Sequence, residues 1–534
     1  MHRRRLLFAL AASVLAGVGL GSLQLLLWPQ VPPSLGRAVV AALAWGSWGG
    51  LWLGMAGFLL WELAAVVARL FGWGPRRPRP EAAMTVAGLF VAVVAAVNQE
   101  AARELLPAAH RQALGVVAAL ALMWAVLWLV ASRWTSPRAA KALVAAWLVA
   151  VWWPWWGAQE TPEQRTPSPP EGGVSLTLLE KPRRALVVVW EGADLPWLLP
   201  LMDGGMMPFL QSLWPRGSWG QLRTPRPFSR AASLTTWATG CSPVRHGVVA
   251  RRAYRLPFLT GEPVSLVLKG PWPSPHQLPW RLWRRAAPPP PREPTLWEAL
   301  AGMGVSSQVV GWPFPLRHSG PGREELWETG PPLDPAWEAA IGEAVRGAVG
   351  KAGSTRHAFA LAAETGLRAA VAVQGSDLQV LVVHLDLPAR LRPLWTGEDP
   401  GGVLPLAAQF LDSQLAELWA LVGSPDAYLA VGSPYGMEPP HPWDRLLSSV
   451  GLAGSWPVSP KDSPDGFFFL YGPGVAKGVR VAGARAADVV PTLMYLLELP
   501  VARTLSGRVL LVAVDERWAA SVPLRLVPAY RPGF

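Results

Sequence analysis

A single cysteine, Cys241, stands in a chain of 534 residues, so no disulfide can form within it. Cysteine usage therefore neither requires nor excludes an oxidising compartment. Charge is scarce as well: Asp, Glu, Lys and Arg make up 16% of the chain, against about a quarter in ordinary soluble domains. Acid is scarcer than base, and the formal net charge is +12. Such an excess would suit nucleic acid, but no basic, aromatic-interleaved motif accompanies it and many basic residues flank apolar segments, so nucleic-acid binding is discounted. Tyrosine is sparse, with 6 residues, whereas tryptophan reaches 31. Some of these tryptophans fall where an amphipathic ring would meet a membrane interface.

What the chain does have is apolar length, crowded into the first 157 positions. A spanning helix needs about 20 mostly apolar residues, and five stretches approach or exceed that: 6–28, 39–71, 83–97, 113–131 and 139–156. The first follows His2-Arg3-Arg4-Arg5 without a convincing small-residue cleavage site, and more apolar segments follow, which predicts an uncleaved anchor. The second is too long for one crossing, yet halves of about 16 residues would be too short; one tilted or projecting helix is expected. Basic residues mark alternate loops: Arg3, Arg4 and Arg5; then Arg76, Arg77 and Arg79; then Arg133, Arg138 and Lys141. By the positive-inside rule this predicts an integral protein of the cytoplasmic membrane, N-terminus cytoplasmic and everything after the fifth segment extracytoplasmic. No Asp/His relay is visible in the spans, so the lipid bilayer is their expected partner and anchoring their expected role.

Residues 158–182 are polar and rich in Pro, Glu and Thr at their start, which predicts a flexible linker. Four consecutive prolines within 286–294 predict a surface polyproline II stretch. From 183 to 534 the pattern changes to short apolar runs (185–190, 307–310, 378–385, 428–431, 467–470) alternating with longer amphipathic segments (among them 231–238, 335–349, 355–371, 404–421 and 487–497). That alternation predicts an α/β/α domain around a mostly parallel sheet, with any functional site at the carboxyl ends of the strands. The whole is thus a transmembrane region (1–157, about five helices), a linker (158–182) and one extramembrane domain (183–534).

Several ordered landmarks in that domain carry a resemblance. The opening strand ends in Trp190-Glu191-Gly192-Ala193-Asp194. Met207-Pro208-Phe209-Leu210 and Arg216-Gly217 follow, then Thr235-Thr236-Trp237-Ala238-Thr239-Gly240 with Pro243 and His246-Gly247. Later come Thr295-Leu296-Trp297-Glu298, Val309-Val310-Gly311-Trp312-Pro313, Gly472-Pro473-Gly474 and Asp488-Val489-Val490-Pro491-Thr492-Leu493. In this order the set resembles the type I phosphodiesterase/nucleotide pyrophosphatase family of the alkaline-phosphatase superfamily. The resemblance implies an alkaline-phosphatase-like fold and, in working members, two divalent metals, usually zinc, that clamp the attacking and leaving oxygens of a phosphoryl transfer.

Carried over slot by slot, the resemblance implies a degenerate site. The first Asp ligand falls on Glu191, one methylene longer. The nucleophile falls on Arg230, with Ser229 one residue away as a possible shifted nucleophile. An Asp and a His four residues on fall on Asp386 and Arg390. The Asp-His pair of the family's Ser-Asp-His-Gly-Met falls on Pro434 and Tyr435, and the last His on Asp462. Arg, Pro and Tyr are not usual zinc ligands, and each Arg charge at about 4 Å opposes a dication by about 4 kcal/mol per unit charge at an effective dielectric near 20. Glu191, Asp386 and Asp462 remain as residual carboxylates. His384, two residues before Asp386 and on the same strand face, and His441 could refill a site, a packed histidine being the simpler reading of each. Arg230 and Arg390 could hold a phosphate or carboxylate without metal, or pair with the residual carboxylates. No cofactor is therefore expected, and two zinc ions only if the family site works. The leading expectation is a membrane-anchored, extracytoplasmic and catalytically inactive family member that binds or scaffolds an anionic or phosphate-bearing ligand or an envelope protein. The rivals are an active phosphodiesterase, phosphatase or lipid-linked phosphoryl-group transferase with an atypical site, and a cell-envelope assembly factor acting through its spans.

Overall fold

The fold is taken from a computed structural model of the chain, which describes residues 2–29, 34–43, 82–131, 137–158, 183–226, 228–250, 253–255, 265, 284–286, 290–313, 333–346, 349–374, 376–392, 394–395, 399, 401–436 and 464–530. Two compact units partition it. One comprises Met1–Thr166, Val249–Pro289 and Leu446–Pro460; the other comprises Pro167–Val248, Pro290–Arg445 and Lys461–Phe534. Most of the long second apolar segment and of the linker, and Pro288 and Pro289 of the polyproline stretch, fall outside the described residues.

Among the described residues of the first unit four helices pack together: α1 (His2–Leu26), α2 (Ala82–Ala101), α3 (Ala108–Ala131) and α4 (Pro137–Gly157). The stretches Ala83–Ala101 and Ala108–Val130 are long and apolar enough to cross a membrane. Both helices run beyond the apolar stretches 83–97 and 113–131 into 98–112, because Ala and Gln continue the helix well on either side of Pro107. Glycine sets the close approach of α2 to α3: a Cβ on Gly88 would lie 2.8 Å from the Trp124 ring. Part of the tryptophan excess is explained here. Trp28, Trp128, Trp147 and Trp155 are buried in this core. Two indoles also tie helices together, Trp147 donating to the Leu15 carbonyl at 3.0 Å and Trp124 to that of Leu143 at 2.7 Å.

The second unit is built on a seven-stranded sheet of β1 (Ala185–Trp190), β2 (Ser218–Arg223), β3 (Ser307–Val310), β4 (Val380–Leu385), β5 (Tyr428–Tyr435), β6 (Asp465–Tyr471) and β7 (Val479–Arg485), in the order β3-β4-β1-β5-β6-β2-β7. Strands β3, β4, β1 and β5 run parallel. Strand β6 is antiparallel to both neighbours, and β7 returns parallel to β2. β1 is buried along its whole length, as a central strand covered on both faces must be, hence its unbroken apolar run. Its residues alternate between two cores. Val187 and Val189 pack with Leu234 and Trp237 of α5 (Arg230–Thr239) and with the helix Val489–Leu496. Leu186, Val188 and Trp190 pack with Phe359 and Phe410 of the long helices Val349–Val373 and Val403–Val422. This is the α/β/α arrangement expected, built on a mostly parallel sheet. Strands β2 and β7 were not read from sequence: Ser218–Arg223 is polar and contains Gly220, and Val479–Arg485 carries Arg480 and Gly483.

Candidate functional site

At the carboxyl end of β1 the chain must turn away from the sheet, and Gly192, with φ of +84°, makes that turn. Glu191 sits immediately before it, fully buried. β4 ends beside it with His384, Leu385 and Asp386, and β5 ends with Pro434 and Tyr435. α5 begins at Arg230, with Ser229 as its N-cap. The three central strands and one helix start thus bring Glu191, Arg230, His384, Asp386 and Tyr435 together.

The contacts converge on the Glu191 carboxylate. Its Oε1 accepts from the Tyr435 hydroxyl and from Arg230 Nε. Its Oε2 accepts from the second guanidinium fork, Arg230 Nη2, at 2.7 Å and from His384 Nε2 at 2.8 Å. An ionised carboxylate offers about four lone-pair positions, and four donors of this chain fill them. His384 Nδ1 lies 2.9 Å from the Gly311 carbonyl, so both ring nitrogens face acceptors. Burial by itself would push the Glu191 carboxyl up. The hydrogen bonds from His384 and Arg230, with their charges, outweigh it and hold the group down at about 2. Arg230 is raised, chiefly by its hydrogen bond to Glu191. Tyr435 is pushed up by burial and then by the adjacent carboxylate, so it remains a neutral donor.

At the rim, Arg390 Nε donates to Asp386 Oδ1 at 2.7 Å, and Arg230 Nη2 stands 3.8 Å from Asp386 Oδ2. Ser229 Oγ accepts from the Ala232 amide at 3.4 Å, the ordinary role of an N-cap serine. The Pro434 side chain has no donor, and its carbonyl accepts from Thr224 Oγ1 at 3.1 Å. Asp462 and His441 lie outside the described residues. His246 is fully buried. It accepts from the Val248 amide at Nδ1 and pairs with Thr236 at Nε2, and burial pushes it down to about 3, so it is a neutral structural group. Cys241 is buried and its thiol is pushed up to about 12, mainly by desolvation, an unreactive setting.

Residues 186–442 match the family model described as type I phosphodiesterase / nucleotide pyrophosphatase. This stretch belongs to that family. Among solved structures, the chain is similar to murine ectonucleotide pyrophosphatase / phosphodiesterase 5 (12% identity, 64% of this chain and 100% of that one, TM-score 0.36). It is similar to the human protein of the same name (11%, 59% and 95%, 0.34) and to a 2-O GAG sulfatase (11%, 62% and 73%, 0.38). Identity and score this low carry no functional inference. No curated protein matches the chain.

The phosphodiesterase family's zinc pair does not fit the described residues of this site. A zinc ligand needs a free lone pair at about 2.0–2.2 Å, and the Glu191 oxygens have none to offer. Arg230 and Tyr435 stand here as donors, not ligands, and Pro434 offers no side-chain atom. Among the described residues no three His, Cys, Asp or Glu side chains are grouped to hold a metal ion. The residue that sequence reasoning undervalued is His384. Its signal was its place on the same strand face as Asp386; the structure adds Glu191 at the end of the neighbouring strand as its partner.

Proposed function

We propose that this chain is a membrane-anchored family member whose phosphodiesterase domain lies outside the cytoplasm and binds or scaffolds rather than hydrolyses. The observation that carries the reading is the closed Glu191 carboxylate, whose lone pairs are taken by Arg230, His384 and Tyr435. Hydrolysis in this family uses metal-activated attack by a hydroxyl at the start of α5, and that position carries a guanidinium committed to Glu191. Anchoring is supported by the apolar stretches Ala83–Ala101 and Ala108–Val130. Arg3, Arg4, Arg5, Arg133, Arg138 and Lys141 favour the cytoplasmic side for the N-terminus and the α3–α4 connection, which puts the phosphodiesterase domain on the opposite side. The ligand class that suits the site's rim is anionic, because Arg390 bonds Asp386 through Nε while its side chain stays 43% exposed.

The test is made on the full chain purified in detergent. Bound metal is measured by elemental analysis, and hydrolysis of a generic phosphodiester is followed with added zinc, manganese or magnesium. Sub-stoichiometric metal and turnover no faster than that of Ser229→Ala are expected. Turnover that needs metal and vanishes in Ser229→Ala would establish Ser229 as a shifted nucleophile and overturn the proposal.

A further inference from the structure

Away from the site, the amino ends of the strands form a second surface. Strands β1, β5 and β2 share one direction, because β6 is antiparallel to both β5 and β2. They therefore open at the same end of the sheet, at Ala185, Tyr428 and Ser218. The helix Val403–Val422 ends there too, since only a short loop separates it from Tyr428. Its Trp419 ring lies 6.0 Å from that of Tyr471, and Arg216 stands over the Tyr471 ring at 5.5 Å. Close by, Ser218 Oγ donates to the Ala476 carbonyl at 2.6 Å and lies 3.3 Å from that of Ala513. This holds the short helical turn Leu511–Ala513 on the same rim. Beside the start of β1, Arg183 pairs with Glu498 at 3.7 Å, and the paired strands Val501–Ala502 and Leu526–Val527 follow from there.

This end presents aliphatic side chains to solvent: Leu421, Leu511, Val512, Leu524 and Leu526 are between 39% and 66% exposed. Exposed aliphatics scattered singly are ordinary, but a group of them on one rim, with Trp419 and Tyr471 half-buried beside them, marks a contact surface. Rings with a polar edge next to apolar tips suit a membrane interface. What covers the rim follows from where the chain enters. The polypeptide coming from the apolar segments reaches β1 at Ala185, on this end. The stretch 158–182 supplies about 25 residues, and a flexible chain of that length spans roughly 25–30 Å. Such a tether holds the rim at a high effective concentration near the bilayer.

We infer that the amino-end rim of the phosphodiesterase domain rests on the lipid bilayer, with Leu511, Val512, Leu524 and Leu526 at headgroup depth. This rests on the membrane-anchored reading above and deepens it by fixing which end of the domain faces lipid. Exposed Arg216, Lys477 and Arg517 are matched on the rim by Glu498, Asp515 and Glu516, so the contact is apolar rather than ionic and survives salt. Strands of six residues such as β1 are about 20 Å long. The Glu191 and Arg390 end is therefore held off the bilayer by at least that length and opens to water. Its ligand arrives from the aqueous phase rather than as a headgroup of the same membrane.

The test uses the full chain in phosphatidylcholine vesicles. Cys241 is buried, so a surface cysteine is the thiol that takes a polarity-sensitive fluorophore. Val512→Cys and Leu526→Cys place it on the rim, and Arg390→Cys places it at the site. The two rim labels should emit at shorter wavelength than the site label, and should lose intensity when the lipid carries a nitroxide quencher near its headgroup. The site label should do neither. Both rim effects should persist in high salt, and adding Leu511→Asp to Leu526→Cys should abolish them there. Alkaline carbonate extraction reports anchoring separately, and the unaltered chain should stay with the vesicles. Release by carbonate would overturn the anchored reading and the inference together. A chain that stays, with rim labels as unquenched as the site label, overturns the inference alone. So do rim labels shielded from water but not quenched, in detergent particles that hold two chains by light scattering, because a second copy would then cover the rim.

Discussion

Replacing Glu191 by Gln isolates the charge on which the strand ends are built. The Gln side chain is close in shape to the protonated carboxyl, so the variant imitates at neutral pH what acid does to the parent. The carboxyl is depressed from its ordinary value of 4.5 to about 2 on folding, because the interactions with His384 and Arg230 outweigh the cost of burial. A depressed carboxyl contributes stability that is fully present above 4.5 and is lost as the pH falls towards 2. The interval corresponds to about 3 kcal/mol at about 1.4 kcal/mol per pH unit. Linkage places about 2 kcal/mol of that loss between neutrality and pH 3. Glu191→Gln should therefore be about 3 kcal/mol less stable than the parent at pH 7, and the gap should narrow to about 1 kcal/mol at pH 3. Chemical denaturation of the full chain in detergent, followed by tryptophan fluorescence across that range, measures it; the indole of buried Trp190 precedes the substituted residue. A gap that stays constant with pH, or a variant as stable as the parent at pH 7, would refute the view that an ionised Glu191 holds the site.

Two further substitutions test the supporting contacts by the same denaturation assay. Tyr435→Phe removes the hydroxyl that donates to Glu191 while leaving the ring packed on Phe228 at 4.7 Å; a loss of about 1.5–3 kcal/mol is expected for a hydrogen bond to a buried charge. At Gly311, φ is +77°, and an added Cβ would lie 2.5 Å from the His384 carbonyl oxygen. Gly311→Ala should therefore cost more than about 1 kcal/mol and shift the His384 ring resonances, because the Gly311 carbonyl orients that ring.

The site was legible in the sequence as a set of missing residues and not as a set of contacts. The family resemblance implied slots for Glu191, Arg230, Asp386, Arg390, Pro434 and Tyr435, and residue chemistry alone said that Arg, Pro and Tyr are not usual zinc ligands. That Arg230 would spend its fork on Glu191, and Arg390 bond Asp386 instead, could not be read from the chain. The choice depends on which strand ends are neighbours. In the order β3-β4-β1-β5, Glu191 and His384 come from adjacent strands, and Tyr435 comes from the strand on the other side of β1.

By itself the sequence determined the alternation of strands and helices from 185 onward, the apolar stretches of the first 157 residues and the side-chain types at the strand ends. These depend on local periodicity, on apolar length and on side-chain chemistry, all of which are properties of the chain in order. Only the tertiary structure decided that β2 and β7 join the sheet, since polar and glycine-bearing strands such as Ser218–Arg223 are stabilised by their neighbours rather than by their own pattern. It alone decided that His384, a histidine with no motif of its own, faces the carboxylate that Arg230 holds. Residues 193 positions apart meet because parallel strands end on the same side of a sheet, and that coincidence is written in the topology.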